Sequence, residues 1–134
     1  MEKLVIWQKA YDCYIYLYVA LRNFPKSEKF TLSADIKSSF SKLLKLLMLA
    51  NKSKSKLQYL YEADVILEML KFQIRAAKDM QFLKIKQYGI LSEKFSEIGR
   101  MLGGWINKYK HCSSSNFVAN INLLLGGVYE KNNN

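Results

Sequence analysis

Residues that break regular structure are scarce in this chain. One proline and six glycines occur among 134 residues. Because proline and glycine mark most turns and loops, their scarcity predicts few, long and regular elements. No strand-like alternation stands out, so the sequence favours an all-α fold. The length favours one domain with a core of useful size.

Side chains that carry catalysis or bind metals are also scarce. The chain has one histidine, His111, and two cysteines, Cys13 and Cys112, which lie far apart. One histidine cannot easily anchor a Ser-His-Asp or Cys-His arrangement, and no pair has metal-ligand spacing. Glu93 and Glu97 lack the Glu-x-x-His motif of di-iron bundles. We therefore expect no catalytic residue, no metal and no cofactor.

A long apolar run is missing as well. The first 21 residues are mostly apolar, but Gln8, Lys9 and Asp12 interrupt them. Without about 20 successive apolar residues or a signal-peptide core, the sequence argues against a membrane span and against secretion. Cys13 falls in this segment and is predicted to be a small buried hydrophobic residue. A reduced, cytoplasmic protein fits these features best.

Acidic residues are too few to balance the basic ones. The chain has 21 lysines and arginines against 11 acidic residues, a formal net charge of +10. Such an excess on a small protein indicates a polyanionic or acidic partner, with solubility alone as the alternative. The excess is spread over several elements, which favours a nucleic acid or a protein associated with nucleic acid.

Apolar residues recur at three- and four-residue steps in four segments. This pattern predicts helices over residues 4–22, 33–50, 57–80 and 85–110. Short connectors make consecutive helices antiparallel, so the predicted architecture is an up-down-up-down four-helix bundle over residues 1–110, with residues 111–134 as an appended tail. The predicted inner face of the first helix consists of Leu4, Trp7, Tyr11, Tyr14, Tyr18 and Leu21, widened by Ile15 and Val19.

The fourth segment contains three glycines in the stretch "IGRMLGGWIN". Its apolar stripe continues through them, so we expect the helix to continue too. A second stripe, made of small residues, lies beside the apolar stripe. Another helix can approach the backbone closely there. The small residues are Ser92, Ser96, Gly99 and Gly103, with Gly104 alongside. The approaching helix belongs either to the same bundle or to a second subunit; we favour the subunit, since the apolar stripe already supplies the core.

A stripe of charged residues runs along the third segment, acidic at its start and basic toward its end. The connector that follows adds two lysines at the same end of the bundle. Together they predict a basic cap, for which a merely solvated face is the alternative. The cap consists of Arg75, Lys78, Lys84 and Lys86.

Two N-terminal stretches, "VIWQKAYDCYIYLY" and "NFPKSEKFTLSADIKSS", resemble the opening of small four-helix-bundle proteins that include the ribosomal intervening-sequence proteins. A later stretch, "LEMLKFQIRAAKDMQFLKIKQYGILSEKFSEIGRMLGGWIN", is similar to one branch of that group, the accessory variability determinant (Avd) proteins of diversity-generating retroelements. The resemblance covers residues 4–110. The general family carries an arginine pair and an asparagine-rich segment near Ile36–Ser39; their absence here favours the Avd branch.

The resemblance implies a non-enzymatic accessory protein that assembles as a homopentameric ring. The ring's basic surface would bind the retroelement's reverse transcriptase and its template RNA, and so support error-prone cDNA synthesis. Carried over by position, the basic cap is the first choice for the partner-facing surface, and Arg100 and Lys108 are the second. Two alternatives stay open: a bundle of the ribosomal intervening-sequence type with an RNA- or ribosome-related role, and an oligomeric structural module without a nucleic-acid partner.

Overall fold

Four helices make up the fold of this protein. A computed structural model describes the backbone of residues 2–132 and the side chains of residues 5–110. The helices are α1 (Glu2–Leu21), α2 (Leu32–Lys52), α3 (Lys56–Asp79) and α4 (Ile85–Asn132), with a 3-10 turn at Lys26–Glu28. No strand occurs in residues 2–132, which confirms the all-α prediction for that part. The predicted tail, residues 111–134, lies outside the residues whose side chains are described.

The helices pack side by side in a fixed order. α3 contacts α2 and α4, α4 contacts α1 and α3, and α1 touches α2 more lightly. Within the described residues α1 and α3 do not touch. These two helices therefore occupy opposite corners of the bundle, and each turns one side outward.

The core forms where the periodicity of α2, α3 and α4 predicts it. Along α3 and α4 the apolar stripes are buried, and α4 stays helical through its glycines. Phe40 of α2 and Phe95 of α4 meet with ring centroids 6.3 Å apart, and both are fully buried. Each large apolar side chain buried in this way contributes about 1.5–3 kcal/mol. The fully buried members of the two stripes are Leu60, Ala63, Leu67, Leu70, Ile74, Ala77, Leu91, Phe95, Ile98 and Leu102.

The predicted inner face of α1 is only partly right: Leu21 lies in the core and Trp7 and Tyr14 are half-buried against it, while the side chain of Leu4 lies outside the described residues. The residues of α1 that lie in the core are Ile6, Ala10, Cys13, Leu17, Ala20 and Leu21. Tyr11, Ile15 and Val19, predicted to be inside, are 61%, 48% and 43% exposed. α1 is apolar on nearly every side, so periodicity alone offered two candidate faces. The face with small side chains lets α1 approach its neighbours closely, and this is the face that the bundle buries.

Cys13 is buried, as predicted. Burial raises the pKa of its thiol to about 12, because the low-dielectric core disfavours the thiolate. The thiol therefore stays protonated at neutral pH, and Cys13 acts as a small core residue and not as a nucleophile.

The end of α3 is a tight, hydrogen-bonded turn. The Phe82 amide donates to the Ala77 carbonyl over 2.9 Å, and the Gln81 amide donates to the Lys78 carbonyl over 2.9 Å. This pair of bonds is a Schellman motif, which requires a left-handed residue at its centre. Gln81 fills that position with φ of 66°. The turn brings the first residues of α4 back beside the last residues of α3.

Candidate functional site

The turn between α3 and α4 gathers part of the predicted basic cap. The Lys78 ammonium lies over the ring of Tyr88, 4.6 Å from its centroid, and 3.3 Å from a carboxylate oxygen of Asp79. A shallow depression beside them is bordered by Lys78, Lys84 and Tyr88 together with Asp79, Gln81, Leu83 and Ile85. The structure thus brings Lys78 and Lys84 to one place on the surface.

Arg75 borders a second depression, which adjoins the first. Tyr88 lines both, so the two form one continuous groove along α3 and the start of α4. The second depression is bordered by Val65, Glu68, Met69, Lys71, Phe72, Arg75 and Tyr88. Lys86 is exposed but lines neither depression. We call Arg75, Lys78, Lys84 and Lys86 the basic end of the bundle.

Acidic neighbours offset part of this positive charge. Asp79 pairs with Lys78, and upstream Glu68 pairs with Lys71 at 3.4 Å. Arg75, Lys84 and Lys86 are exposed, and none of them forms an ion pair with the residues that the structure describes. Exposed ion pairs contribute only about 0–1 kcal/mol. The charges of Arg75, Lys84 and Lys86 therefore add little to the stability of the fold.

Arg100 and Lys108 lie elsewhere. Both are exposed, and with Gly104 they follow one line along α4 at four-residue steps. At 1.5 Å per residue, Arg100 lies about 21 Å along the helix axis from Lys86. The structure therefore separates these two residues from Lys86 and the start of α4.

The predicted stripe of small residues divides into two parts. A Cβ atom on Gly99 would lie 3.3 Å from a methyl carbon of Leu67 and 3.8 Å from the Lys71 ammonium nitrogen. The close approach at Gly99 is thus made by α3 of the same chain. A Cβ atom on Gly103 or Gly104 would meet nothing within 4 Å among the described residues. Ser92 is half-buried and Ser96 exposed. A subunit contact at Gly103 and Gly104 stays a prediction.

A pair of alanine substitutions distinguishes the two glycines. Gly103→Ala should raise the free energy of unfolding by about 0.5–1 kcal/mol, because alanine favours the helix and its methyl group has open space. Gly99→Ala should gain less or lose stability, since Leu67 must move aside. Urea unfolding followed by circular dichroism measures both. If Gly103→Ala instead weakens self-association, a second subunit packs against Gly103.

Two exposed apolar faces were not predicted. On the outer side of α3, four large side chains follow one another at four-, four- and three-residue steps. They are Tyr61, Val65, Met69 and Phe72, between 46% and 72% exposed, and we call them the α3 apolar face. Tyr11, Ile15 and Val19 form the α1 apolar face on the opposite corner of the bundle. Contiguous exposed apolar residues mark an interaction surface.

Neither a metal site nor a membrane-crossing helix is found in the described part of the chain. Among the residues that the structure describes, no three histidine, cysteine or acidic side chains lie together as a metal site requires. A membrane-crossing helix is likewise not found in that part, because none combines the length with enough apolar residues. The notable features are therefore surfaces: the groove, the basic end and the two apolar faces.

Comparison with known proteins gives one family match. Residues 4–109 match a family model described as bAvd-like. No curated protein matches the chain. The matched range contains the basic end, both apolar faces and the stripe of small residues, so it covers every surface described above.

Proposed function

Because the chain belongs to the bAvd-like family, we propose that it binds the reverse transcriptase and the template RNA of a diversity-generating retroelement and so supports mutagenic cDNA synthesis. Proteins of this family are accessory and non-catalytic. The observation that carries the proposal is the family match over residues 4–109. The formal net charge of +10 supports it, since both RNA and RNA-loaded proteins attract a basic surface.

The basic end is the surface we assign to the reverse transcriptase. Arg75, Lys84 and Lys86 hold exposed charges without acidic partners among the described residues, and Lys78 is held in place beside Tyr88. Tyr88 and Ile85 add apolar area to the depression that Lys78 and Lys84 border. A depression that is both basic and apolar fits a protein partner better than it fits a bare phosphate backbone, because protein interfaces bury apolar groups at their centre. We therefore assign this depression to the reverse transcriptase, and leave the adjoining one, which the α3 apolar face borders, out of the assignment.

We also propose that the protein forms a homo-oligomeric ring. The α3 apolar face of one copy would pack against the α1 apolar face of the next. Because α1 and α3 occupy opposite corners of the bundle, this contact joins two different surfaces, and each added copy uses one of its two faces and leaves the other free. Such a head-to-tail contact closes into a ring when its rotation permits. The number five comes from the family resemblance alone.

We place the protein in the cytoplasm, because a reduced, inert Cys13 is compatible with that compartment.

Size-exclusion chromatography tests the proposed binding. The protein is mixed with the reverse transcriptase encoded beside its gene and with the template RNA. We expect all three to elute together at low salt and to separate as salt rises, because phosphate contacts weaken steeply with salt. Separate elution at low salt, or a gene with no neighbouring reverse transcriptase and template repeat, would contradict the proposal.

A further inference from the structure

One central segment of the chain contains several basic residues and no acidic residue. Residues 36–61 contain six lysines and neither aspartate nor glutamate. They cover most of α2, the connector to α3 and the first residues of α3. The basic end and the charged side of α3 differ in this respect, because Asp79 pairs with Lys78 and Glu68 pairs with Lys71.

Two of the six lysines have roles inside the fold. Lys37 lies over the ring of Tyr18, 4.9 Å from its centroid. The Lys56 ammonium donates to the carbonyl oxygens of Ala50 and Asn51 over 2.8 and 3.1 Å, and thereby satisfies carbonyls at the end of α2. These contacts occupy both side chains.

The other four lysines are exposed. They are Lys42, Lys45, Lys52 and Lys54. None of them forms an ion pair with a residue in the described range, and Glu62, the next acidic residue along the chain, forms no ion pair there either. Within the described residues, their charge is therefore not neutralised.

Three of these lysines share one line on α2. Lys42, Lys45 and Lys52 fall on a stripe with Ser38 and Leu49, at three- and four-residue steps, and every member of the stripe is exposed. At 1.5 Å per residue the three lysines extend over about 15 Å of the helix axis. One strand of a duplex presents a phosphate about every 3.4 Å along its axis, so this length faces about four phosphates.

We infer that this stripe, the α2 lysine face, binds the phosphate backbone of a nucleic acid without sequence preference. The inference rests on the proposed function, for which it takes the template RNA as the nucleic acid. Each ammonium donates to non-bridging phosphate oxygens, and the rigid helix keeps the three charges spaced before RNA arrives. Since the stripe carries no aromatic side chain, it has no platform on which bases stack, and contacts to phosphate alone carry no sequence information.

The test compares two triple variants that lose equal charge. Lys42→Gln, Lys45→Gln and Lys52→Gln together remove the α2 lysine face; glutamine keeps the helix propensity. The control, Arg22→Gln, Lys26→Gln and Lys29→Gln, removes three exposed charges around the 3-10 turn. Fluorescence anisotropy with a labelled single-stranded RNA of mixed sequence measures affinity across a salt series. Co-elution with the reverse transcriptase is measured separately.

We expect the α2 variant to bind RNA at least about tenfold more weakly at low salt and to show a salt slope shallower by about 2, since each lost phosphate contact removes about 0.7 from the slope for a single strand. The control should change little. Equal losses in both variants, or no loss in the α2 variant, would overturn the inference while leaving the proposed function intact. Loss of reverse-transcriptase binding with unchanged RNA binding would assign the face to a protein and also overturn it. A wild-type protein that binds no RNA would overturn both proposals.

Discussion

Replacing Phe72 by lysine should convert the assembled protein to monomers without unfolding it. Phe72 is 72% exposed in the single chain, so the substitution leaves the core of the bundle unchanged. In the proposed ring, Phe72 is buried against the next copy. The substitution removes a buried aromatic ring from this contact and places an unpaired ammonium group there instead. The loss is about 3 kcal/mol or more at each contact, which is more than a hundredfold in affinity.

Light scattering coupled to size-exclusion chromatography measures this effect, and Phe30 provides the matched control. Phe30 is 83% exposed in the segment before α2 and belongs to neither apolar face. Phe30→Lys should therefore assemble as the wild type does. Assembly of the Phe72→Lys variant into particles of wild-type mass would show that the α3 apolar face is not the contact.

The head-to-tail contact also predicts the effect of a substitution on the α1 apolar face. Ile15→Lys, on the α1 apolar face, should also yield monomers. A mixture of the two variants should form dimers and nothing larger, because each mixed pair retains one intact contact and has no second one to extend. If the α3 faces instead paired with each other, Ile15→Lys would leave assembly unchanged.

Replacing the four cations of the basic end by glutamine should weaken binding of the reverse transcriptase about a hundredfold while preserving fold and assembly. The variant Arg75→Gln, Lys78→Gln, Lys84→Gln and Lys86→Gln removes four of 21 basic residues. No core residue changes, and only one ion pair, between Lys78 and Asp79, is lost. If each exposed charge contributes about 0.5–0.7 kcal/mol to a complex, the sum is about 2–3 kcal/mol, or roughly a hundredfold in affinity.

The second-choice residues serve as the comparison for this variant. Arg100→Gln with Lys108→Gln removes exposed charges that lie about 20 Å or more from Lys86 along α4. This double variant should weaken binding of the reverse transcriptase far less than the quadruple variant does. Binding that survives the quadruple substitution would mean that the partner uses another face, and a larger effect of the double variant would point to α4.

The sequence predicted the core residues of α2, α3 and α4, but most of the face that it predicted for α1 is not the buried one. In α3 and α4 the apolar stripe is bordered by charged residues, so only one side can be buried. α1 has no such border: Tyr11, Ile15 and Val19 are as apolar as the residues opposite them. Its choice of face depends on the size of side chains that α2 and α4 can accept, and periodicity contains no information about that.

Of the surface features too, the sequence predicted some and not others. Lys78 and Lys84 are near in sequence across a short turn, so their proximity follows from the turn itself. Whether α3 or a second subunit faces Gly99 depends on how the helices are placed around α4, which spacing does not determine. The α3 apolar face was missed because Val65, Met69 and Phe72 alternate with charged residues. Their three- and four-residue spacing was the available signal.

We propose that this protein enables a reverse transcriptase to copy its template RNA while contributing no catalysis itself. Synthesis of cDNA by the reverse transcriptase encoded beside its gene, on the template RNA, with and without this protein, tests this dependence. We expect full-length cDNA only when the protein is present and strongly reduced synthesis with the basic-end quadruple variant. Equal cDNA yield with and without the protein would show that the reverse transcriptase does not depend on it.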